Sequence, residues 1–149
     1  MFDAREWLSG VEEAARIIDA DRRWAEAQRE LAMRAGQSGV KVMTGIHDPM
    51  APIDYLIDSE KARRDRLGFA INEVLEARAV LHGMQTVGAI EHEAASMLEL
   101  VHLELLTKKD AAFMLLISYD TGKRRYNYGI DWLNAHGLAY AKAGRGLAT

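Results

Sequence analysis

The chain has 149 residues, a formal net charge of −3 and no cysteine, with 49% hydrophobic and 28% charged residues. That composition fits one or two small domains with a modest core. It excludes a disulfide framework, a thiolate metal site and the profile of a disordered tail. The longest apolar runs, such as "FMLLI", are too short to span a bilayer, and "MFDAREWLSG" does not resemble a signal peptide. The expectation is a cytoplasmic protein with no membrane partner.

Met1 to Ala35 is rich in Ala, Glu, Arg and Leu, and the spacing predicts a helix. Trp7, Val11, Ala14, Ala15, Ile18, Ala25 and Ala32 recur at helical steps, as do Ile17, Trp24 and Leu31. The arm is about 50 Å long at ~1.5 Å per residue and needs a partner along its length. The stretch "AGQSGVKVMTGIHDPMAP" breaks the pattern with its glycines and with Pro49 and Pro52. A second long helix is predicted from Ile53 to His82, with Leu67, Ile71, Val74, Arg78 and Leu81 as a heptad-like stripe and "EKARRDR" as its solvated stretch. Gly83 suits the residue just past a helix end. Two such helices fold back most simply as an antiparallel hairpin over residues 1–84, with Trp7 and Trp24 between them. A hairpin leaves apolar surface open, which predicts a homo-oligomer.

After the connector "QTVGAI" a third helix is expected from about Ile90 to Leu105 or Leu106, with Ile90, Ala94, Met97, Leu98, Val101 and Leu105 on one face. Thr107 followed by Asp110 is a capping-box-like start for a short helix over "KKDAAFMLL". Ser118 is a second N-cap, and "YDTGKRRYNYGIDWL" continues as helix from about Tyr119 to Asn134. On it Gly122, Tyr126, Gly129, Ile130 and Leu133 form the inward side, and Tyr119, Asp120, Lys123, Arg124 and Asn127 face out. Trp132 is expected to anchor this last helix. With no strand signal longer than four residues and no repeat, the fold class is all-α. It comprises a long antiparallel hairpin (1–84) followed by a C-terminal helix-turn-helix domain (87–149).

Charge divides unevenly along the chain. Residues 1–106 hold 12 Lys/Arg against 19 Asp/Glu, a balance of −7, whereas residues 107–149 hold 7 Lys/Arg against 3 Asp, a balance of +4. The C-terminal third is the part suited to a polyanion, or else merely a solvated helix face. Lys and Arg reach phosphates and guanine edges, and Asn reaches adenine. The expected contacts with double-stranded DNA are Lys108 and Lys109 to phosphates, and Ser118, Tyr119, Asp120, Thr121, Lys123, Arg124, Arg125 and Asn127 along the second helix of the motif. Arg125 lies nearest the inward edge.

The stretch "LTKKDAAFMLLISYDT" resembles the region-4 helix-turn-helix of bacterial sigma factors, whose pattern is L-T-x-x-E-I-A-x-x-L-G-I-S-x-x-T-V. Leu106, Thr107, Ala112, Leu115, Ile117, Ser118 and Thr121 match, and Asp110 replaces the Glu. An N-terminal helix ending in "QRELAMRAG", a Gly-rich loop, a long helix and then this motif is similar to the RinA- and ArpU-like phage and prophage regulators of late transcription. The likeness spans roughly residues 1–135, and its specific part is the ~30-residue motif. It implies a DNA-binding transcription regulator in a bacterial host cell, with no cofactor and no catalysis, and an arm that self-associates or meets RNA polymerase. The alternative is a helical assembly protein, such as a small-terminase-like DNA-packaging component. Leu116 stands where the motif has Gly, so a left-handed conformation there would cost about 1 kcal/mol or more. Gly122 stands where the motif has an inward Val, which predicts a lost core contact and a helix weaker by about 1 kcal/mol.

Catalytic readings fare less well. "HEAAS" at His92 has Ser96 where the zinc motif H-E-x-x-H needs its second histidine. Glu99 and His102 form one Glu-x-x-His pair, whereas a di-iron bundle needs two such pairs and two further carboxylates. His47, His82 and His136 suit surface or capping roles, Met97 and Met114 suit core filling, and Gly144 and Gly146 are expected in a frayed tail.

Overall fold

The computed structural model describes residues 1–38 and 51–147, with side chains at 1–36 and 59–145. Among the described residues every element is helical: α1 (Ala4–Ser38), α2 (Ala51–Gln85), α3 (Ala89–His102), α4 (Lys108–Met114), α5 (Tyr119–His136), α6 (Leu138–Ala143) and a 3-10 turn (Gly144–Leu147). No described helix is long and apolar enough to cross a membrane. The centre of the 36–52 connection and His47 lie outside the described residues.

α1 and α2 run antiparallel. Arg63 Nε donates to Asp21 Oδ1 at 2.7 Å, and the Arg63 guanidinium lies 4.2 Å over the Trp24 ring. Toward the other end Trp7, Gly10 and Val11 share a groove with Phe69, Glu73 and Ala77. α2 begins at Ala51, two residues before the expected start, because Pro52 in a first turn lacks only an N–H that would have no helical partner. Trp24 is not enclosed between the helices: it is 51% exposed, covered on one side by Arg63. The expected stripe on α2 holds in part: Leu81 is fully buried and Val74 packs against the core, but Ile71 is exposed, and Ala70, Ala77, Val80 and Met84, outside the stripe, are buried as well. Arg78 turns to α3 and its following turn, pairing with Glu99 at 2.6 Å and Glu104 at 3.1 Å.

One cluster of buried side chains draws on every helix. It joins Ala4, Leu8 and Val11 of α1 and Ala77 to Met84 of α2 with Met97 and Leu98 of α3, Ala111 and Ala112 of α4, Ile130 and Leu133 of α5, and Ala141 of α6. The cluster runs across residues 84–87. The first turns of α1 and the last turns of α2 therefore share a core with the C-terminal helices, while α1 beyond Ala25 is exposed on nearly all sides.

Several helix ends differ from expectation for non-local reasons. Gly83 is not a terminal residue. It lies inside α2, and a Cβ there would collide with the backbone carbonyls of Ala141 and Lys142, so the glycine is the seat on which α6 rests. The C-terminal tail is correspondingly not frayed through Arg145. Gly144 is buried in the left-handed region (φ 61°), and the Arg145 N–H donates to Thr86 Oγ1 at 3.0 Å. α3 stops at His102, earlier than expected. Leu105 turns left-handed (φ 60°), and the Leu106 N–H returns to the Leu100 carbonyl at 3.0 Å, folding the chain back over the end of α3. Ile90, expected on the inward face of α3, is exposed in its first turn.

Candidate nucleic-acid interface

α4 and α5 are joined by four residues, Leu115 to Ser118, and each helix start is fixed by its own cap. Thr107 Oγ1 accepts from the Asp110 N–H at 3.1 Å. Ser118 Oγ accepts from the Thr121 N–H at 3.1 Å and donates to Thr121 Oγ1 at 2.9 Å. Each satisfies a donor that a helix N-terminus otherwise leaves unpaired. Between the caps the turn closes on α4, with the Leu116 N–H on Phe113 O and the Ile117 N–H on Ala112 O, both at 3.1 Å. Closure puts Leu116 at φ 58°, with its side chain 90% exposed. The strain expected for leucine at a glycine position is therefore present, and burial does not offset it.

Gly122 corrects the sequence reading. A Cβ there would lie 2.8 Å from Ala112 Cβ and 3.4 Å from Met97 Cε. The missing side chain is thus no lost contact but the condition for α5 to approach α4 at Ala112. Gly129 does the same one level on, where a Cβ would meet Leu98 Cδ1 at 2.9 Å. Two glycines seven residues apart let α5 lie close against its neighbours. Tyr126, Ile130, Trp132 and Leu133 complete its buried side.

The opposite side of α5 is exposed at Tyr119, Asp120, Arg124 and Asn127. Lys123 is half-buried, its Nζ 3.5 Å from Asp120 Oδ1 and 4.5 Å over the Tyr119 ring. Arg124 and Lys109 are exposed and make no ion pair among the described residues. Lys108 lies with its Nζ 4.2 Å over the Tyr126 ring. Ser118 and Thr121 are engaged with each other in the cap. Arg125 is turned away from the others toward α3, where its Nε donates to Glu93 Oε2 at 2.8 Å. Tyr128 is laced to α3 beside it, its hydroxyl donating to Glu91 at 3.0 Å, and burial with this bond raises the phenol pKa. The expected residues thus separate into an outward group (Tyr119, Asp120, Lys123, Arg124, Asn127, with Lys109), a capping pair (Ser118, Thr121), one inter-helix tie (Arg125) and Lys108, which lies over Tyr126.

Behind this face a polar chain crosses three helices, which the sequence reading did not foresee. His102 Nε2 lies 2.7 Å from the Tyr126 hydroxyl, and its Nδ1 is 3.4 Å from Glu12 Oε1 of α1. That second approach lacks hydrogen-bond alignment, so the buried Nδ1 has no hydrogen-bond partner among the described residues. Burial holds the His102 pKa below its usual value against the smaller, opposing pull of Glu12, and burial raises that of Tyr126. The Glu-x-x-His pair is split, because Glu99 faces Arg78, His82 and Gln85 on α2 while His102 faces α1 and α5. His136 has the surface and capping role expected of it: it is exposed, its Nδ1 lies 2.9 Å from the Trp132 carbonyl, and its ring stacks on Trp132 at 4.3 Å and on Tyr140 at 5.0 Å.

Chemically the outer face offers ammonium, guanidinium, amide and phenol donors on one helix. Such groups suit phosphate oxygens and base edges. Comparisons with models of known families, with curated proteins and with solved structures find no match to this chain.

Proposed function

We propose that this chain is a DNA-binding transcription regulator of the phage and prophage type. It binds duplex DNA through α4 and α5 as a helix-turn-helix, with α5 in the major groove. The antiparallel α1–α2 hairpin serves self-association or contact with RNA polymerase. The observation that carries this reading is the outward group on α5. Lys123, Arg124 and Asn127 stand clear of the core on a helix whose start is capped and whose back is held by two close-packing glycines. Preorganised donors of this kind on a second helix are what groove recognition needs.

The test is a binding titration, by electrophoretic shift or fluorescence anisotropy, with duplexes from the DNA flanking its own gene and with scrambled duplexes. Run between 50 and 200 mM salt, log K is expected to fall linearly with log salt, with a slope of about −0.9 per phosphate neutralised. Lys109→Ala is expected to weaken all sequences alike and to reduce the slope by about 1. Arg124→Ala and Asn127→Ala are expected to relax sequence preference by about 1–3 kcal/mol per base contact. Binding without salt dependence, or none at all, would reject the proposal.

One observation favours a second reading, a helical assembly protein such as a small-terminase-like packaging component. The hairpin exposes Trp24, Leu31, Met33, Phe69 and Leu75. Apolar exposure on this scale marks an interface. Tight oligomers in light scattering together with sequence-blind DNA binding would select this reading over the regulator.

A further inference from the structure

We infer that the first turn of α1 belongs to the DNA-binding surface, with Arg5 and Lys108 gripping one backbone phosphate beside α5. The inference rests on the DNA-binding reading above and adds to it a contact from the other end of the chain.

Three observations place the residue. The start of α1 is pinned to α5, since the Ala4 N–H donates to Asn134 Oδ1 at 2.8 Å and Ala4 and Leu8 are fully buried. Arg5 precedes Glu12 by seven residues, two helical turns, so the two share a face of α1. Glu12 approaches His102, and His102 bonds the Tyr126 hydroxyl, so that face of α1 looks onto Tyr126. Burial raises the Tyr126 pKa, with Arg5 and Glu12 acting on it in opposite directions. Lys108, from α4, lies over the same ring at 4.2 Å.

Arg5 on α1 and Lys108 on α4 thus lie on the helix faces that look onto Tyr126. Neither makes an ion pair among the described residues. Glu12, the carboxylate on that face, is already near Arg16 (3.5 Å) and His102 (3.4 Å). Elsewhere on α1, Arg16, Arg22 and Arg23 pair with carboxylates on their own helix, while Arg29, on the exposed distal part, makes no ion pair among the described residues. Two cations facing one side chain, with the nearby Glu12 carboxylate shared between Arg16 and His102, favour an added anion, and a DNA phosphate is the anion that a neighbouring groove-reading helix brings there.

The experiment compares the whole chain with Arg5→Gln, Arg5→Lys and, as a distal control, Arg22→Ala, by anisotropy on one duplex across a salt series. One phosphate contact scales affinity as salt to the power of about −0.9, so its loss is about 8-fold at 0.1 M relative to 1 M. Arg5→Gln is expected to lose about that factor on cognate and scrambled duplexes alike and to flatten the slope by about 1. Arg5→Lys should keep the wild-type slope, and Arg22→Ala should match wild type. The Arg5→Gln, Lys108→Ala double variant should lose less than the two single losses combined, because both residues serve one phosphate. If the wild type binds with a steep slope and Arg5→Gln leaves slope and affinity unchanged, this inference falls and the DNA-binding reading stands. If the wild type shows no salt-dependent binding, both fall.

Discussion

Gly122→Ala separates two views of the α4–α5 contact. On helix propensity alone, replacing a helical glycine by alanine gains up to roughly 1 kcal/mol. At this site the new methyl would sit 2.8 Å from Ala112 Cβ. Ordinary carbon contacts lie near 3.5–4.0 Å, so a gap of about 1 Å must open. Neither partner can swing away, because both carbons are bonded directly to helix backbone. The helices must separate, and overpacking of this kind costs about 1–3 kcal/mol. The net expectation is destabilisation by about 1 kcal/mol, a fall in Tm of about 2–4 °C for a chain of this size. The control is Gly68→Ala on α2, where a Cβ meets nothing within 4 Å and only the propensity gain remains. Thermal and urea unfolding of both variants, with Ala112→Gly added to Gly122→Ala as a rescue, gives the coupling directly. Gly122→Ala unfolding at or above the temperature of Gly68→Ala would refute the close-packing account.

Leu116→Gly is expected to stabilise the chain by about 1 kcal/mol, since it relieves a left-handed leucine whose exposed side chain contributes little burial; an unchanged urea midpoint would contradict the strain. His102 has a folded pKa below its unfolded value of about 6.5, so the unfolded chain takes up the proton first as pH falls. Its contribution to stability is full above that unfolded value and is lost as pH falls from there to the folded pKa, at no more than about 1.4 kcal/mol per pH unit. Urea titrations from pH 7.5 to 5 should show this loss, less steep in His102→Gln. Asn134→Ala removes the acceptor of the Ala4 N–H and is expected to cost about 1–3 kcal/mol, with Asn134→Asp recovering much of it; equal stability of the two variants would mean that the bond does not hold α1 to α5.

What was legible in the sequence was local. Thr107 with Asp110 and Ser118 with Thr121 are caps written within three residues, and both form as expected. The inward side of α5 followed from its period, down to Gly122, Gly129 and Ile130. What was not legible depends on a partner distant in sequence. Gly83 resembles a helix stop until α6 is seen resting on it, and Gly122 resembles a weakness until Ala112 is opposite. The stripe on α2 was legible only in part for a similar reason. Its steps find Val74 and Leu81, but the full width of the buried side is chosen by α1, α3 and α6, which add Ala77, Val80 and Met84 and leave Ile71 uncovered. Arg125 was legible in part: its place nearest the inward edge set it apart from Lys123 and Arg124, but its partner, Glu93 on α3, is distant in sequence.

The first turns of α1 meet α5, and this links the arm to the motif. Ala4 is bonded to Asn134 and Leu8 lies in the core, while Glu12 approaches the histidine that holds Tyr126. These contacts come from the first three turns of α1, and beyond Ala25 the helix is exposed on nearly all sides. Side chains in a close-packed core have few alternative arrangements, so the direction in which α1 leaves the core is fixed relative to α5. Under the proposed function this has a geometric consequence. If two copies join through the exposed distal part of the hairpin, the separation of their α5 helices is set by helix length and not by a flexible linker. Half-site spacing on DNA would then be a property of the arm, and variants that loosen the Ala4–Asn134 junction would broaden the spacings tolerated without altering which bases each α5 prefers.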